Sequence, residues 1–409
     1  MDIYELLNSS KYYTTTDLRY NNEYKFFLSQ EELESLKDEK DNAVEKGEAG
    51  FNRVDLLSFN SKHIYYVDSK ELKNLIHEYQ NSIVVMNENV GFDTINAKHF
   101  GDMLVSRVYS EIEGTLAVEN VPTTRTRIEQ LKKGAKPENK NDQIVLNMLR
   151  GIDFILNKPE FNKDNLHKLY TLLSEGCLEK DKRLKDYYRN DVVYIDKYEG
   201  CPKEKIENSM NCLFEFVKEA LNDEKYSMVL PHICHYYLLY IHPYFDYNGR
   251  TARMVALWIE LLANSEDTMP IYLSEAINDS KGAYYEALRE SRNMSNDVTY
   301  FLIYIYKTAI KYAFTYKNLE YIEEQLMKNA ITLSPLDKVY LKKIILKANQ
   351  DYFDFKKYLI YVNIDESKQA ALKTLNKFEK YGILESRIND KKVKLFRLID
   401  CMIKYNQDW

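Results

Sequence analysis

A loop that runs straight into an apolar helix constrains the fold of this chain more than any other feature. The loop reads HPYFDYN over residues 242–248, and the next segment reads GRTARMVALWIELL as far as Leu262. That segment is apolar on almost every side, which is typical of a buried helix beginning at Gly249 or Arg250. Because a helix start has unpaired N–H groups and a partial positive charge, we expect an anion-binding turn there.

Charged side chains surround this turn. Arg250 and Arg253 are three residues apart, so both project from the same side of the first helical turn. Asp246 lies just before them, where an acidic group is explained by Mg²⁺, which binds one or two carboxylates together with phosphates. The combination indicates a site for a nucleotide polyphosphate and a metal ion.

A histidine stands at the start of the loop. Pro243 disfavours the α conformation at His242, so His242 is predicted at the exit of the helix Leu230–Ile241. A histidine that faces phosphates accepts a proton from an incoming hydroxyl. Single residues of these kinds are usually structural, but their combination in one loop-to-helix junction favours a functional site.

The run HPYFDYNGRTAR resembles the signature of the Fic family, HxFx[DE]GNGRxxR, which is the active-site loop of adenylyltransferases that move AMP from ATP onto protein hydroxyls. The resemblance implies that His242 is the general base and that Asp246 binds the metal, Mg²⁺ or alternatively Mn²⁺. It also implies that Asn248 and Gly249 form a turn that cradles the phosphates. The resemblance further implies that Arg250 contacts the phosphates and that Arg253, the second arginine of the signature, binds the γ-phosphate.

Two positions depart from the signature. Tyr244 replaces a phenylalanine, which keeps an aromatic anchor, and Tyr247 replaces the first glycine of the GNG turn. If position 247 requires a positive φ, tyrosine costs on the order of 1–2 kcal/mol there. We expect its ring to stand where the phosphates pass, so that Tyr247→Gly tightens ATP binding. The alternative is a ring that packs over the nucleotide or holds the loop shut.

A second motif lies upstream, where Tyr109–Gly114 reads YSEIEG. Gly114 is predicted to cap the end of a helix, which places two acids in the last turn, against the helix dipole. The motif resembles the inhibitory pattern [ST]xxxE[GN] of Fic proteins. The resemblance implies that Glu113 is an inhibitory glutamate pairing with Arg253, with Ser110 in place of the Ser or Thr that the pattern has at position 109.

Three further segments carry weaker indications. Residues 188–195 alternate like a hairpin strand and resemble the Fic flap, which holds a target segment by strand addition. Residues 284–288 resemble the helix that borders the family's adenine pocket, although aromatic residues at helical spacing are more often core. His235 fits the helix before the signature, where packing is the favoured interpretation; with His232 it forms no complete zinc set.

Composition bounds the class of protein. The 409 residues are enough for two or three domains. Five scattered cysteines have no disulfide or zinc spacing, which favours a reducing, cytoplasmic setting. The first ten residues do not resemble a signal peptide, and no run of 18 uncharged apolar residues is present, so we expect no membrane partner.

The chain is predicted to have three parts: an N-terminal extension (1–95), a Fic-type catalytic core (96–318) with an inhibitory helix near 98–114, and a third domain (319–409). Residues 331–409 contain 16 lysines and arginines against 10 acids. Helices at 335–348, 354–361 and 366–381, followed by two strands around Asn389, resemble a winged helix. The lysines of 367–380 could bind DNA, but that helix has no arginine. Protein docking or dimerisation is therefore the favoured role of the winged helix.

The sequence thus predicts a mainly α fold with a Fic-type helical core, a β-hairpin flap and a C-terminal winged helix. The predicted activity is transfer of AMP from ATP to a Ser, Thr or Tyr hydroxyl of a protein, including the enzyme itself. Removal of AMP from a target is one alternative. The other is a DNA-binding regulator whose core only senses nucleotide. Homo-oligomerisation stays open.

Overall fold

The chain is mainly α-helical with a few short strands, which confirms the predicted fold class. The computed structural model describes residues 3–20, 28–87, 108–263, 273–348, 350–362 and 366–405. Two compact units are present, one comprising Met1–Tyr79 and Val90–Thr308 and the other Gln80–Asn89 and Ala309–Trp409. Among the described helices, none is long and apolar enough to cross a membrane.

The described residues form 17 α-helices. They are α1 (Ile3–Asn8), α2 (Thr15–Tyr20), α3 (Gln30–Lys46), α4 (Lys70–Asn87), α5 (108–118), α6 (Arg125–Lys132), α7 (Lys140–Leu156), α8 (Lys163–Ser174), α9 (Lys203–Ala220), α10 (Leu230–Ile241), α11 (Asn248–Ala263), α12 (Ser274–Asp279), α13 (Lys281–Asn293), α14 (Thr299–Met327), α15 (Pro335–Ala348), α16 (Phe355–Val362) and α17 (Lys368–Lys380). The strands form three antiparallel hairpins, β1 (Phe51–Leu57) with β2 (His63–Val67), β3 (Tyr194–Ile195) with β4 (Tyr198–Glu199), and β5 (Leu384–Ile388) with β6 (Lys394–Leu398).

The N-terminal residues are integrated into the first unit through a buried ion pair. Lys40 on α3 pairs with Asp297, and both side chains are almost fully buried. The Tyr12 hydroxyl donates to the same carboxylate at 2.6 Å, so the charge is both paired and hydrogen-bonded. A buried charge is tolerated only with such partners, because desolvation otherwise costs several kcal/mol. The pair therefore ties α3 to the segment before α14.

The β1–β2 hairpin supports α10. Phe59, in the connection between the two strands, stacks on Tyr240 with ring centroids 4.7 Å apart. The Tyr237 hydroxyl donates to the Leu57 carbonyl at 2.8 Å, and Lys205 Nζ donates to the Phe59 carbonyl at 2.7 Å. These contacts, which the sequence did not indicate, hold the hairpin against the helix that precedes the predicted catalytic loop.

Helices α10 and α11 form the centre of the first unit. Pro231 lies in the first turn of α10, where proline is well tolerated, and α10 ends at His242 as predicted. Helix α11 begins at Asn248, one or two residues before the predicted start at Gly249 or Arg250. Trp258 of α11 is fully buried and donates from Nε1 to the Pro159 carbonyl at 2.9 Å. The predicted buried helix is confirmed.

Two predictions of local structure are wrong. Gly114 does not end a helix: α5 continues through residue 118, and Gly114 lies in its middle. A Cβ at Gly114 would lie 2.2 Å from the Glu275 nitrogen, so glycine serves a close approach of two backbones there rather than a C-cap. In the predicted strand 188–195 only residues 194–195 form strand pairs, although the Val193 carbonyl also accepts from the Gly200 N–H at 2.9 Å, and the Arg189 N–H donates instead to the Pro243 carbonyl. Positions 98–107 of the predicted inhibitory helix lie outside the described residues.

The second unit has its own apolar core. Helices α15, α16 and α17 precede the β5–β6 hairpin, and Phe353 forms a single antiparallel bridge to Phe396. Leu341, Leu375 and Phe378 are fully buried among these elements. The helix bounds agree with the predicted ones to within two residues. The winged-helix interpretation stays a prediction, and so does the choice between DNA and protein as the partner of this unit.

Candidate functional site

The loop 242–248 has a strained but well-supported backbone. His242 has φ 55° and Tyr247 has φ 68°, both in the left-handed region that favours glycine. Asn248 holds the loop closed, since its side chain accepts from the Tyr244 N–H at 3.0 Å and donates to the Tyr244 carbonyl at 2.8 Å. The Tyr244 ring is fully buried and stacks on Tyr170 at 3.9 Å. The Asn248 amide is therefore occupied by the loop itself, and only its backbone is left for phosphates.

His242 is oriented as a base. Its Nδ1 lies 3.3 Å from the Leu239 carbonyl, which only accepts, so Nδ1 carries the proton and Nε2 keeps its lone pair. Burial lowers the pKa of His242 to about 4, and the Leu239 carbonyl opposes that shift. The imidazole is consequently neutral at pH 7, which a general base requires. His242 lines a cavity of about 510 Å³.

The first turn of α11 lines the same cavity with Gly249 and Arg253. Arg253 is almost fully buried, and its Nε donates to the Thr115 Oγ1 at 2.7 Å. Its Nη2 donates to the Thr115 carbonyl at 3.2 Å and to the Glu119 Oε1 at 2.7 Å. A Cβ at Gly249 would lie 2.6 Å from that Oε1, so the Glu119 carboxylate approaches the helix start closely. A carboxylate thus lies at the expected anion position, favoured by the helix dipole.

The structure corrects the predicted partner of Arg253. The carboxylate paired with Arg253 is Glu119, not Glu113. Thr115, and not Ser110, is the hydroxyl residue that bonds to the arginine. The physical reason is the course of α5, which continues to residue 118 and so brings the next turn to α11. The segment TLAVEN at 115–120 fits the pattern [ST]xxxE[GN] without any departure, so the sequence contains a better match than YSEIEG.

Helix α5 is docked by two contacts. The buried Glu111 carboxylate accepts from the Ser274 N–H at 3.0 Å and from the Ser274 hydroxyl, at the start of α12. Gly114 allows the backbone of Ser274 and Glu275 to approach. Burial raises the pKa of Glu111, against the two hydrogen bonds from Ser274. These contacts fix the position from which Glu119 reaches Arg253.

Asp246 and Arg250 lie together at the far end of the loop. Asp246 accepts from the Tyr247 N–H at 2.7 Å, and its carboxylate is 3.6 Å from Lys182 Nζ and 3.8 Å from Arg250 Nη2. Its side chain is 40% exposed, which leaves an oxygen accessible. The Nε and Nη1 of Arg250 are buried without a hydrogen-bond partner. Unpartnered buried donors of a guanidinium indicate a site suited to an anion.

These residues fit a magnesium-bound polyphosphate. Among the described residues no group of three or more His, Cys, Asp or Glu is placed to hold a metal ion. Mg²⁺ is commonly held by one or two carboxylates together with substrate phosphates, for which the single carboxylate of Asp246 suffices. Arg250 and the α11 start would supply the donors to the phosphates.

The Tyr247 ring packs against Arg250. The positive φ confirms the backbone that a glycine would adopt at lower cost. The ring, however, is buried and lies under the Arg250 guanidinium at 3.4 Å, and it is not among the residues that line the cavity. The ring therefore lies beneath Arg250; because Asp246 and Arg250 do not line the cavity either, its place relative to the phosphates stays a prediction. A guanidinium over an aromatic face is a cation–π arrangement, so the ring supports Arg250.

Aromatic residues also line the cavity. Tyr285, Leu288 and Arg292 lie on one face of α13 and line the cavity, together with Tyr198 of the β3–β4 hairpin. The Arg292 guanidinium lies over the rings of Tyr198 and Tyr240, at 4.5 and 5.4 Å. Flat rings beside an anion site suit a nucleobase, since every base has a stacking face.

The histidines before the loop are packed. His235 is buried, and its Nε2 lies 2.9 Å from the Tyr284 hydroxyl. His232 is also buried, edge-on to Tyr306. Both positions therefore belong to the core, in agreement with the favoured interpretation.

Residues 160–259 match the model of the Fic/DOC family. The match includes the whole loop and the first turns of α11, and it covers about a quarter of the chain. Fic domains generally transfer a nucleotide or another group to proteins. No curated protein matches the sequence significantly.

Several solved structures are similar to this chain. A Fic family protein from Desulfovibrio desulfuricans G20 is 16% identical, with a TM-score of 0.49, over 82% of this chain and 98% of that one. Fic-1 (aa134–508) from C. elegans is 18% identical, with a TM-score of 0.46, over 64% and 74%. A Fic domain containing signaling protein from Bacteroides thetaiotaomicron VPI-5482 is 14% identical, with a TM-score of 0.44, over 59% and 94%.

Proposed function

We propose that this protein transfers AMP from ATP to a hydroxyl group of a protein, and that Glu119 inhibits the transfer. The supporting observation is the common cavity of His242, Gly249 and Arg253. A neutral imidazole and an anion-binding helix start then face one bound nucleotide. ATP as the donor, and Mg²⁺ or Mn²⁺ as the metal, come from the resemblance of the loop to the Fic signature.

The reaction follows from these positions. His242 Nε2 takes the proton of the target hydroxyl, and the hydroxyl oxygen attacks the α-phosphorus of ATP. A new P–O bond forms as the bond to the bridging oxygen breaks, and pyrophosphate leaves. The N–H groups at the start of α11 and the guanidinium of Arg250 stabilise the developing negative charge. Asp246 would hold the metal ion, which neutralises phosphate charge when bound.

Glu119 inhibits by occupancy. Its carboxylate lies against Gly249 and Arg253, which are the groups that the γ-phosphate of ATP would use. Two anions at one helix start repel each other strongly in a partly buried site. ATP therefore binds in the productive pose only after Glu119 leaves Arg253.

Removal of AMP from a modified protein is the second candidate. The observation in its favour is that Glu119 itself lines the cavity with His242, where a carboxylate could orient a water molecule. In that reaction Glu119→Gly would lower the rate, whereas it raises the rate of transfer.

The test uses the full chain and ATP labelled at the α-phosphate. We expect label on the protein itself or an added target with Glu119→Gly, and at least about a hundredfold less with Glu119→Gly/His242→Ala, since a general base contributes 10²–10⁴-fold. His77→Ala, at an exposed histidine, is the matched control. If no nucleotide of a panel labels any protein but label is lost from a modified one, the second candidate replaces the first. If neither occurs, the remaining interpretation is a regulator whose core only senses nucleotide.

A further inference from the structure

Arg189 makes an unusual set of contacts beside the catalytic loop. Its backbone N–H donates to the Pro243 carbonyl at 2.9 Å, and its Nε donates to the His242 carbonyl at 2.8 Å. Its Nη1 donates to the Asp191 carbonyl at 2.6 Å and its Nη2 to the Cys201 carbonyl. The side chain is buried, with an exposed fraction of 3%.

The three carbonyls belong to the β3–β4 hairpin, which is the predicted flap, and to the catalytic loop. Asp191 lies three residues before β3 and Cys201 two residues after β4, so they mark the two ends of the flap hairpin. The third carbonyl is that of His242. One planar guanidinium therefore joins both ends of the hairpin to the residue proposed as the base. A lysine could not reproduce this, because an ammonium is a point donor rather than a fork.

The burial of this charge needs an explanation. Among the described residues no carboxylate lies within 4 Å of the Arg189 guanidinium, whose hydrogen-bond partners are all carbonyls. Burial lowers the pKa of Arg189, which expresses the cost of desolvating it. An apolar side chain would avoid that cost but would leave the three carbonyls without these donors. What the arginine adds is a fixed geometry among three backbone segments.

We infer that Arg189 is a positioning residue that fixes the flap hairpin relative to His242, so that a target segment on the flap is presented to the base at a constant distance. The inference rests on the proposed function. Catalysis is sensitive to such a distance, since a misplacement of about 1 Å costs on the order of a hundredfold in rate. ATP binding depends on other residues, Gly249, Arg250 and Arg253, which Arg189 does not contact.

The flap itself is suited to a target segment. Val192 and Tyr194 are exposed, with exposed fractions of 47% and 73%. At its other end the hairpin is anchored to α13, since the Tyr198 hydroxyl donates to Asn293 at 2.7 Å and Arg292 donates to the Glu199 carbonyl at 2.8 Å. Arg189 supplies the remaining anchor, on the side of His242.

The experiment compares Arg189→Lys and Arg189→Met in the full chain that also carries Glu119→Gly. We expect the single-turnover labelling rate to fall by about a hundredfold in both, with the affinity for ATP unchanged within about twofold. Arg183→Lys, at an exposed arginine of the preceding loop, should alter neither quantity. Methylguanidinium added to Arg189→Ala, which leaves the space open, should restore part of the rate.

Each outcome decides the matter. An undiminished rate in Arg189→Lys would overturn the inference, because charge alone would then suffice. A parallel loss of ATP affinity, or a chain that does not fold, would also overturn it by showing a general structural role. If Glu119→Gly with Arg189 intact gives no label at all, the proposed function fails rather than the role of Arg189.

Discussion

The Glu119 carboxylate and the Arg253 guanidinium form an ion pair at the first turn of α11, with 2.7 Å between Oε1 and Nη2. The arginine side chain is 2% exposed and the glutamate 29%. The glutamate therefore lies on the solvent side, and under the proposed function it is the partner that leaves. This asymmetry makes the pair suitable as a reversible block of an anion site.

Removing the glutamate should release the site. We expect Glu119→Gly to raise the labelling rate by at least about tenfold, since a charge-assisted hydrogen bond contributes about 1.5–3 kcal/mol. Labelling of the full chain in a single turnover measures this. The gain should vanish when Arg253→Ala is added, because both changes act through one contact and are not additive.

Glu113→Gly is the matched control for that experiment. It removes a glutamate six residues upstream on the same helix, which Arg253 does not pair with. We expect the labelling rate to change by less than about twofold. An increase equal to that of Glu119→Gly would show that α5 as a whole blocks the anion site, rather than the Glu119 carboxylate alone.

The loop and the two helices beside it were predictable because their signals are local. A proline after His242, apolar residues around α11 and a dense set of charges lie within a few positions of one another. The backbone strain at Tyr247 was also predictable, since only the replaced glycine tolerates a positive φ freely. The orientation of its ring was not, because that depends on the space beneath Arg250.

The parts that sequence did not indicate depend on contacts between distant residues. Phe59 packs on Tyr240, and Lys40 pairs with Asp297, although each pair is far apart in the chain. Gly114 is the clearest example of a residue whose role could not be predicted from its neighbours in the sequence. A glycine after two acids was interpreted as a helix end, whereas tertiary packing against Glu275 is what requires it.

The docking of α5 leads to a second prediction. A Cβ at Gly114 would lie 2.2 Å from the Glu275 nitrogen and 2.4 Å from the Ser274 carbonyl carbon, which are backbone atoms and cannot give way cheaply. We expect Gly114→Ala to displace α5, lower the thermal midpoint and raise the labelling rate several-fold. Gly282→Ala is the control, because a Cβ there meets nothing within 4 Å. A stable Gly114→Ala chain with unchanged labelling would contradict the docking role.

The third prediction concerns stability at acid pH. Burial lowers the pKa of His232 to about 4, so the folded chain keeps it neutral while the unfolded chain protonates it below about pH 6.5. The unfolded state then binds more protons, and stability falls as the pH drops from 6.5 to 4. For His232 alone the loss is about 3 kcal/mol at most.

Denaturant unfolding at pH 7 and pH 4.5, followed by the fluorescence of buried Trp258, measures the effect. His232→Leu should reduce the difference between the two pH values, since the titrating group is gone. His77→Leu, at an exposed position, should leave the difference unchanged. Equal pH dependence in all three chains would show that other groups account for the acid sensitivity.

The last prediction concerns Tyr247, where two effects oppose each other. Its left-handed backbone, at φ 68°, costs on the order of 1–2 kcal/mol, which glycine would recover. Against this, the buried ring fills space under Arg250, and removing a large aromatic side chain from a core costs about 3–5 kcal/mol. The second effect is the larger. Tyr247→Gly should therefore lower the thermal midpoint and weaken ATP binding, because Arg250 loses the ring that supports it.

Tyr247→Phe separates the ring from the hydroxyl. It keeps the ring under the guanidinium, so we expect ATP affinity close to that of the unchanged chain in the Glu119→Gly background. Calorimetric titration with ATP and single-turnover labelling measure both variants. Tighter ATP binding with faster transfer in Tyr247→Gly would mean that strain outweighs support at this position. The tyrosine would then be a handicap in the phosphate turn rather than the platform on which Arg250 rests.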